Sequence, residues 1–416
     1  MLTALYAAPD GEIFDAPGQA AVARHGERQR LLKDDEVMPL PEGAELCLLP
    51  GRWAVTMNET GQVERLGPGL LAVAAILPMG YTRTLVPAFE REENAPLLPL
   101  FGYAAVALKG EELVVAAVPG DDNEKWHPYR YNTKDLRKKV KAVTTEMPQN
   151  RIVKQLGDCS LKWHCCTAQN LFYRRWEAGI PTSPTCNAQC LGCISLQPAE
   201  CCPSPQSRIA FAPTAEEIAQ VGLYHLETAP EGIISFGQGC EGEPALAYER
   251  IAPAMRQIRS QCAKGQININ TNAGCTKGIK EIVDAGLDSM RVSIISAREA
   301  VYQAYYRAEN YTLQDVEASI RYAKENGVYV SLNMLFFPGL NDRPEEIEAW
   351  EGFLERTGVD MIQLRNLNID PDWLLETLPP QQADPIGVPA FLGQLAKRFP
   401  DLVLGSFSHY VKSAED

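Results

Sequence analysis

Apolar and polar positions follow two different rhythms along this chain. Up to about residue 150, short apolar-leaning runs such as 45–50 and 53–58 are broken by Gly, Pro and turn residues, among them Asn58-Glu-Thr-Gly61. Residues 103–108 and 112–118 read as a hairpin through Lys109-Gly110. This pattern predicts an N-terminal β-rich domain over 1–150, whose role the sequence does not reveal. A polar stretch with one expected helix, 133–143, leads into a cysteine-containing connecting segment, 151–178. From residue 179 to 416 strand-like runs alternate with helical ones. The expected strands are 180–184, 232–237, 266–271, 290–296, 329–336 and 361–367. Thr214-Ala-Glu-Glu217 reads as a capping box, Thr312 as the cap of a helix ending at Gly327, and Asp342 as the cap of one ending at Gly358. Each spacing leaves room for one crossover helix, so the sheet should be parallel. Six such units predict an α/β fold, a partial (β/α)6 TIM-like barrel with a C-terminal extension, its chemistry at the C-terminal ends of the strands.

Charge narrows the partners. The 416 residues carry 53 acidic and 39 basic side chains, a net charge of −14. That balance disfavours nucleic acid, which selects a basic stripe. The short basic run near residues 134–141 reads as a solvated helix face. The first residues lack a charged-then-apolar signal pattern, and no apolar run reaches the ~18 residues of a membrane span. A cytoplasmic location is the expectation.

Twelve cysteines change the picture, because disulfides do not persist in a reducing compartment. They crowd between Cys159 and Cys275. Thr185-Cys186-Asn-Ala-Gln-Cys190-Leu-Gly-Cys193 directly follows the first expected strand. Three thiolates on one loop suit an iron–sulfur cluster, and three ligands leave one iron open for an outside ligand. A structural zinc site would need a fourth ligand, for which Cys201 or Cys202 stands nearby. Buried packing thiols are the blandest reading, and Asn187, Gln189 and Gly192 make a poor core segment.

C-x3-C-x2-C after the first strand of such a chain resembles the radical S-adenosylmethionine (radical SAM) superfamily, over roughly 179–408. The family often has an aromatic residue just before the third cysteine, where this chain has Gly192. Later strand ends add to the resemblance. Gly239-Cys-Glu241-Gly242-Glu243-Pro244 is similar to the family's Gly-Gly-Glu-Pro segment, which binds the methionine amino group, with Glu241 in the first glycine position. Asn268, Asn270 and Asn272 mark a third strand with one wet face. Asn272 falls in its Thr-Asn-Gly-like end. Ser293 and Arg298 on the fourth strand and Asn333 on the fifth are the expected contacts to ribose and carboxylate. Arg291 reads as lying at the entry end of its strand, away from chemistry. Pro338-Gly-Leu-Asn-Asp342 resembles the family's fifth-strand ending.

The resemblance implies an enzyme that reductively cleaves S-adenosylmethionine at a [4Fe-4S] cluster on Cys186, Cys190 and Cys193. The 5′-deoxyadenosyl radical so formed would abstract hydrogen from a small-molecule or peptide substrate. A small electron donor, ferredoxin or flavodoxin, is the implied partner. An auxiliary iron–sulfur cluster drawing on Cys159, Cys165, Cys166, Cys201 and Cys202 is a further expectation, against which stand plain buried thiols. The competing class is a non-catalytic iron–sulfur or zinc protein on the same scaffold.

Overall fold

The computed structural model describes residues 2–121, 124–197 and 202–411. Its C-terminal part is built on one parallel sheet in strict chain order: β1 (Glu177–Gly179), β2 (Ile233–Phe236), β3 (Gln266–Thr271), β4 (Ser289–Ile294), β5 (Tyr329–Phe336), β6 (Met361–Asn366) and β7 (Val403–Gly405). Each crossover carries at least one helix, so the sheet is covered along its outer face. The sheet curls, because side chains of distant strands meet inside it. Arg291 of β4 pairs with Glu177 of β1 at 2.5 Å. Ser408, just past β7, donates to the other oxygen of Glu177 at 3.0 Å. The two edge strands are thus brought towards each other without pairing, which makes an incomplete barrel.

One expectation about this sheet needs correction. The first strand lies at Glu177–Gly179, not 180–184. Its ladder ends where the Ile180 amide donates to Ser235 at 2.9 Å. Pro181 then offers no N–H, and the Thr182 and Ser183 amides turn to the Glu241 carboxylate. Beyond the six strands of the expected units, β7 joins this sheet from the C-terminal extension. β7 is only three residues long, with an exposed first residue, too short to show a period.

The helices start as their sequences direct. Thr214 and Glu217 exchange the reciprocal bonds of a capping box at the head of α4 (Ala215–Thr228). Thr312 and Asp315 do the same for α8 (Leu313–Glu325). Asp342 does not cap α9 (Pro344–Thr357), whose N-cap is Arg343. Its carboxylate instead receives the Gly339 amide at 2.6 Å and meets His25 Nε2 at 2.5 Å. Three helices precede the sheet: α1 (Leu136–Glu146), α2 (Arg151–Lys162) and α3 (Cys166–Tyr173). Their apolar faces, including Leu136, Val140, Ile152 and Leu171, join the core of the barrel.

The N-terminal part is β-rich, as its pattern predicts. The expected hairpin forms between Val106–Lys109 and Glu112–Val115, with Lys109 opposite Glu112. An antiparallel sheet runs from Glu90–Arg91 through Glu45–Trp53, Leu71–Ile76, Thr3–Ala7 and this hairpin to Met38–Pro39. This part sits on the C-terminal ends of β5 and β6. Gly26 and Gly339 face each other so closely that a Cβ on Gly339 would come within 2.0 Å of the Gly26 nitrogen. Asn366 at the end of β6 accepts the Arg83 amide at 2.9 Å and donates to Tyr81 O at 2.9 Å. Beneath them Arg52 and Asp370 form an ion pair of 2.5 Å with both side chains inaccessible to solvent. The Leu98 amide also donates to Asp370, at 3.0 Å. Among the described residues no helix is long and apolar enough to cross a membrane.

Removing one partner of a fully buried pair leaves the other charge stranded, at about 3–5 kcal/mol. Arg52→Ala or Asp370→Ala should therefore cost that much in a urea titration, while the Arg52→Met, Asp370→Leu double variant should lose distinctly less. Equal losses would contradict this reading. A second expectation concerns acid. His225 on α4 is inaccessible, bonds through Nε2 to Trp176 O at 2.7 Å, and is held by burial at a pKa of about 4. The unfolded imidazole takes up its proton near 6.5, so the stability this residue contributes is present above that pH and lost as pH falls towards 4. A drop of 2.5 units corresponds to about 3 kcal/mol. His225→Gln should flatten the pH dependence of stability between pH 7 and 4.5 by that order.

Candidate functional site

The cysteine loop follows β1 and is braced by every neighbouring strand end. The Gly242 and Glu243 amides, after β2, donate to Ser183 O (2.7 Å) and Thr185 O (2.8 Å), at the loop's root. Asn272, after β3, donates to the Asn187 side chain at 2.7 Å. The Gln189 and Leu191 amides donate to the Tyr306 and Tyr305 carbonyls, at the end of α7 (Glu299–Tyr306), at 2.9 and 3.0 Å. Gly192 is explained here. A Cβ would meet the Tyr305 hydroxyl at 2.8 Å, so a ring from α7 occupies the space a bulky residue at 192 would need.

Burial pushes the Cys186 thiol up to about 11, with the Glu243 carboxylate adding to it. Burial raises Cys190 well above its usual value, and the nearby Cys193 and Cys186 sulfurs add to that. The three sulfurs therefore sit within each other's electrostatic reach, and burial favours the protonated form of Cys186 and Cys190. One cation is already present. The Arg208 guanidinium lies 3.5 Å from the Cys193 sulfur and donates to Ser195 Oγ at 3.1 Å. No sequence motif singles out Arg208. A single zinc ion would draw its sulfurs within about 4 Å of one another. Among the described residues no group of three or more His, Cys, Asp or Glu side chains is drawn together as a bound ion would draw them. Thiolates of a cluster each bind their own iron, so three thiols on one loop supply the donor type that a cluster needs.

Cys190 and Cys193 line a cavity of about 660 Å³ at the C-terminal ends of the strands. Residues 237–240 form one side of it, Asn270, Ser293 and Asn333 line its wall, and segments 76–81 and 101–102 of the N-terminal part close over it. The Tyr306 hydroxyl is buried in this wall and has no protein hydrogen-bond partner. An orphaned buried hydroxyl of that kind is expected where a ligand supplies the partner.

The expected site residues divide. Gly239, Ser293 and Asn333 line the cavity. Glu241 is buried, and its carboxylate accepts from Thr182 N, Thr182 Oγ1, Ser183 N, Gly237 N and Gln238 N at 2.6–3.0 Å. Glu243 accepts from the Thr271 hydroxyl and from the Ala245 and Asn272 amides at 2.9 and 2.8 Å. Burial raises it to about 7. Both side chains are consumed in joining loops, so this segment presents backbone, not carboxylates, to the cavity. Gly242 is buttressed against Thr185, where a Cβ would come within 2.0 Å of its carbonyl. Asn272 braces the cysteine loop, while Asn270 is the residue of that face which reaches the cavity.

Two arginine expectations are overturned. Arg298 does not reach the cavity. It lies past the end of β4 and pairs with the buried Glu346 at 3.3 Å. Arg291 does reach it, because the alternation along β4 puts residues 291 and 293 on the same inward face. Arg365 on β6, which no motif marked, also lines the cavity. It donates to Asn333 Oδ1 at 3.2 Å and Gln363 Oε1 at 3.3 Å, and burial, with Arg291 beside it, lowers its pKa to about 10. Among the described residues it has no carboxylate partner.

The remaining cysteines also regroup. Cys159 and Cys165 line the cavity together with Cys240, which the sequence left without a role. Cys166 does not line it, and lies nearer Arg175 and Tyr131. Cys202 is buried within reach of Tyr103, and Cys201 lies outside the described residues.

No curated protein matches the chain. Solved structures with distant likeness include a radical SAM methyltransferase from Sphaerobacter thermophilus, at 15% identity and TM-score 0.40, covering 57% of this chain and 68% of that one. Methylornithine synthase (PylB) follows at 14% and 0.38, covering 66% and 72%. Streptococcus suis SuiB bound to precursor peptide SuiA gives 13% and 0.39, covering 64% and 55%. At this distance they carry no argument about reaction. The decisive match is that of residues 180–350 to the model of the radical SAM superfamily, which begins at the cysteine loop and ends in α9. The chain carries a radical SAM domain and is an enzyme of the radical SAM class.

Proposed function

We propose that Cys186, Cys190 and Cys193 hold a [4Fe-4S] cluster, that S-adenosylmethionine binds beside it in the cavity, and that the substrate is a small molecule bearing a carboxylate or phosphate. The observation that carries this reading is the meeting of two thiols of the cysteine loop, Cys190 and Cys193, with residues from the ends of the parallel strands around one cavity. When bound, such a cluster supplies the electron that cleaves the sulfonium to a 5′-deoxyadenosyl radical.

The protein's own groups bind and orient. The backbone at 237–239, held open by Glu241, offers carbonyls suited to an ammonium group. Gly237 supports this, with φ +83° and a position where any Cβ would strike Asn270 O. Ser293, Asn333 and Asn270 suit the hydroxyls of a ribose. Segments 76–81 and 101–102 add to the walls of the cavity, and walls that limit water would protect a reactive radical from side reactions. The cavity volume is of small-molecule size. Arg365, whose hydrogen bonds go to amide oxygens while Glu177 and Asp121 act on it only from a distance, favours an anionic substrate group. A small one-electron donor such as ferredoxin or flavodoxin is the matching partner.

Anaerobic reconstitution followed by dithionite reduction tests the first part. Cys186→Ala, Cys190→Ala and Cys193→Ala should each remove about four irons per chain and bring 5′-deoxyadenosine formation to background. A variant that still forms it, or a wild-type chain that holds zinc and no iron, would sink the reading. For the anionic site, inorganic phosphate and acetate can be titrated into the protein loaded with S-adenosylmethionine. Losing charge-assisted hydrogen bonds is worth about 1.5–3 kcal/mol, so Arg365→Gln should weaken anion binding roughly tenfold to a hundredfold. Equal binding by the variant would leave the anionic substrate without support.

A further inference from the structure

The negative charge of this chain is unevenly spread. Between residues 125 and 175 twelve Lys and Arg face three Asp and Glu, a surplus of nine on a chain whose net charge is −14. The remainder therefore carries −23. The basic stretch folds as α1, α2 and α3, which pack on the barrel core through their apolar faces.

The cations stand on the outside of these helices. Lys134, Arg137, Lys138, Lys141 and Lys154 are exposed and make no ion pair among the described residues, unlike Lys139 and Lys162, which pair along their own helices. On α2, Lys154 and Lys162 share one exposed stripe, while Leu156 and Cys159 on the other side line the cavity. One helix, about 10–12 Å across with its side chains, thus separates the basic stripe from the cavity that Cys190 and Cys193 line. The start of α1 belongs to the same surface. His164 Nδ1 lies 2.8 Å from Asn132 Oδ1, and the Thr133 amide donates to the Tyr173 hydroxyl at 3.1 Å.

An indole stands among these charges. Trp163 follows Lys162 and is 45% exposed. Its position is fixed rather than loose: His164 is held at φ +52° by the turn, and the Cys165 amide donates to Cys159 O at 3.1 Å. Cys165, two residues past the indole, lines the cavity together with Ile194, the residue after Cys193. The turn that shows Trp163 to solvent therefore reaches the cavity with its next inward side chain. Exposed Trp beside cations is a composition that interfaces favour.

Solvation alone accounts for scattered lysines, not for a surplus confined to three adjacent helices with an indole among them. A long nucleic acid would run off this patch onto a remainder that repels it. A compact acidic protein needs only the patch, and complementary charge steers such an encounter. The function proposed above calls for a one-electron carrier, and electron transfer weakens steeply with distance, so a surface one helix from the cavity is well placed. Of the two carriers named there, a flavodoxin brings a planar flavin, which suits an indole.

We infer that the face built by α1, the outer stripe of α2 and Trp163 is the docking surface of a small acidic flavodoxin, an inference that rests on the cluster assignment above. The reduced flavin loses one electron and the oxidised cluster gains it, with no bond formed or broken.

The test uses the full reconstituted chain and a purified acidic flavodoxin. Formation of 5′-deoxyadenosine is driven in parallel by reduced flavodoxin and by dithionite, and oxidised flavodoxin is titrated to read binding without turnover. The Lys138→Glu, Lys141→Glu, Lys154→Glu variant should raise the KM for flavodoxin about tenfold or more and leave the dithionite-driven rate at the wild-type value. The wild-type KM should climb between about 50 and 300 mM salt, and that of the variant should stay nearly flat. Trp163→Ala should also raise the KM while keeping the wild-type salt dependence. The equal dithionite rates check that the variants are folded. Unchanged KM and titration in both variants would overturn the inference. So would binding of single-stranded RNA, or of vesicles containing phosphatidylserine, that the triple variant loses while its flavodoxin binding persists. A wild type that binds oxidised flavodoxin through these residues but forms no 5′-deoxyadenosine with dithionite would uphold the surface and remove the radical reading, so the two failures are distinct.

Discussion

One carboxylate holds this site in shape. Glu241 gathers five N–H and O–H donors from the ends of β1 and β2, and no water is needed to complete it. A buried carboxylate so bonded fixes two loops to each other, because any displacement of either strands a charge in a dry interior. The cysteine loop begins immediately after one of those loops, and the glycine-rich segment is the other. Glu243 repeats the device one strand further, tying the β2 loop to the end of β3. The polar shell of the cavity is thus assembled by side chains that do not themselves face it.

This explains how much could be read without coordinates. The cysteine triplet stands out in the sequence because three thiols on one short loop have few uses other than metal binding. The alternation of strands and crossovers gave a parallel sheet, and the capping pairs at Thr214 and Thr312 marked helix starts by a local rule. Acidic residues in a cofactor-like motif were harder. Glu241 and Glu243 look like ligands in the sequence, and only their hydrogen-bond partners, 28 to 59 residues away, reveal them as fasteners. Arg291 was misplaced because position along a strand was weighed and the alternation of its faces was not. Arg298 stood beyond the strand, where alternation no longer applies. Arg365 and Arg208 belong to no motif, and their roles arise from tertiary placement alone. Cys240 likewise finds Cys159 only through folding.

The N-terminal part changes meaning once its docking is seen. Its sequence reads as an autonomous β domain. Its hydrogen bonds to Asn366, its buried Arg52–Asp370 pair and the abutting Gly26 and Gly339 make it a fixed wall over the strand ends. A segment that closes a radical site gains from such fastening, because an intermittent opening would admit water and oxygen to intermediates that react with both.

The Ser408–Glu177 bond has a consequence for biosynthesis. Its partners are 231 residues apart in the chain, and the bond joins the first and last strands of the sheet. Sequential synthesis therefore exposes both groups of thiols at the ribosome long before β7 exists to complete the floor beneath them. The nascent polypeptide must carry its most oxidisable atoms through that interval unprotected, so the environment of translation, as much as the finished fold, governs whether those sulfurs survive in reduced form.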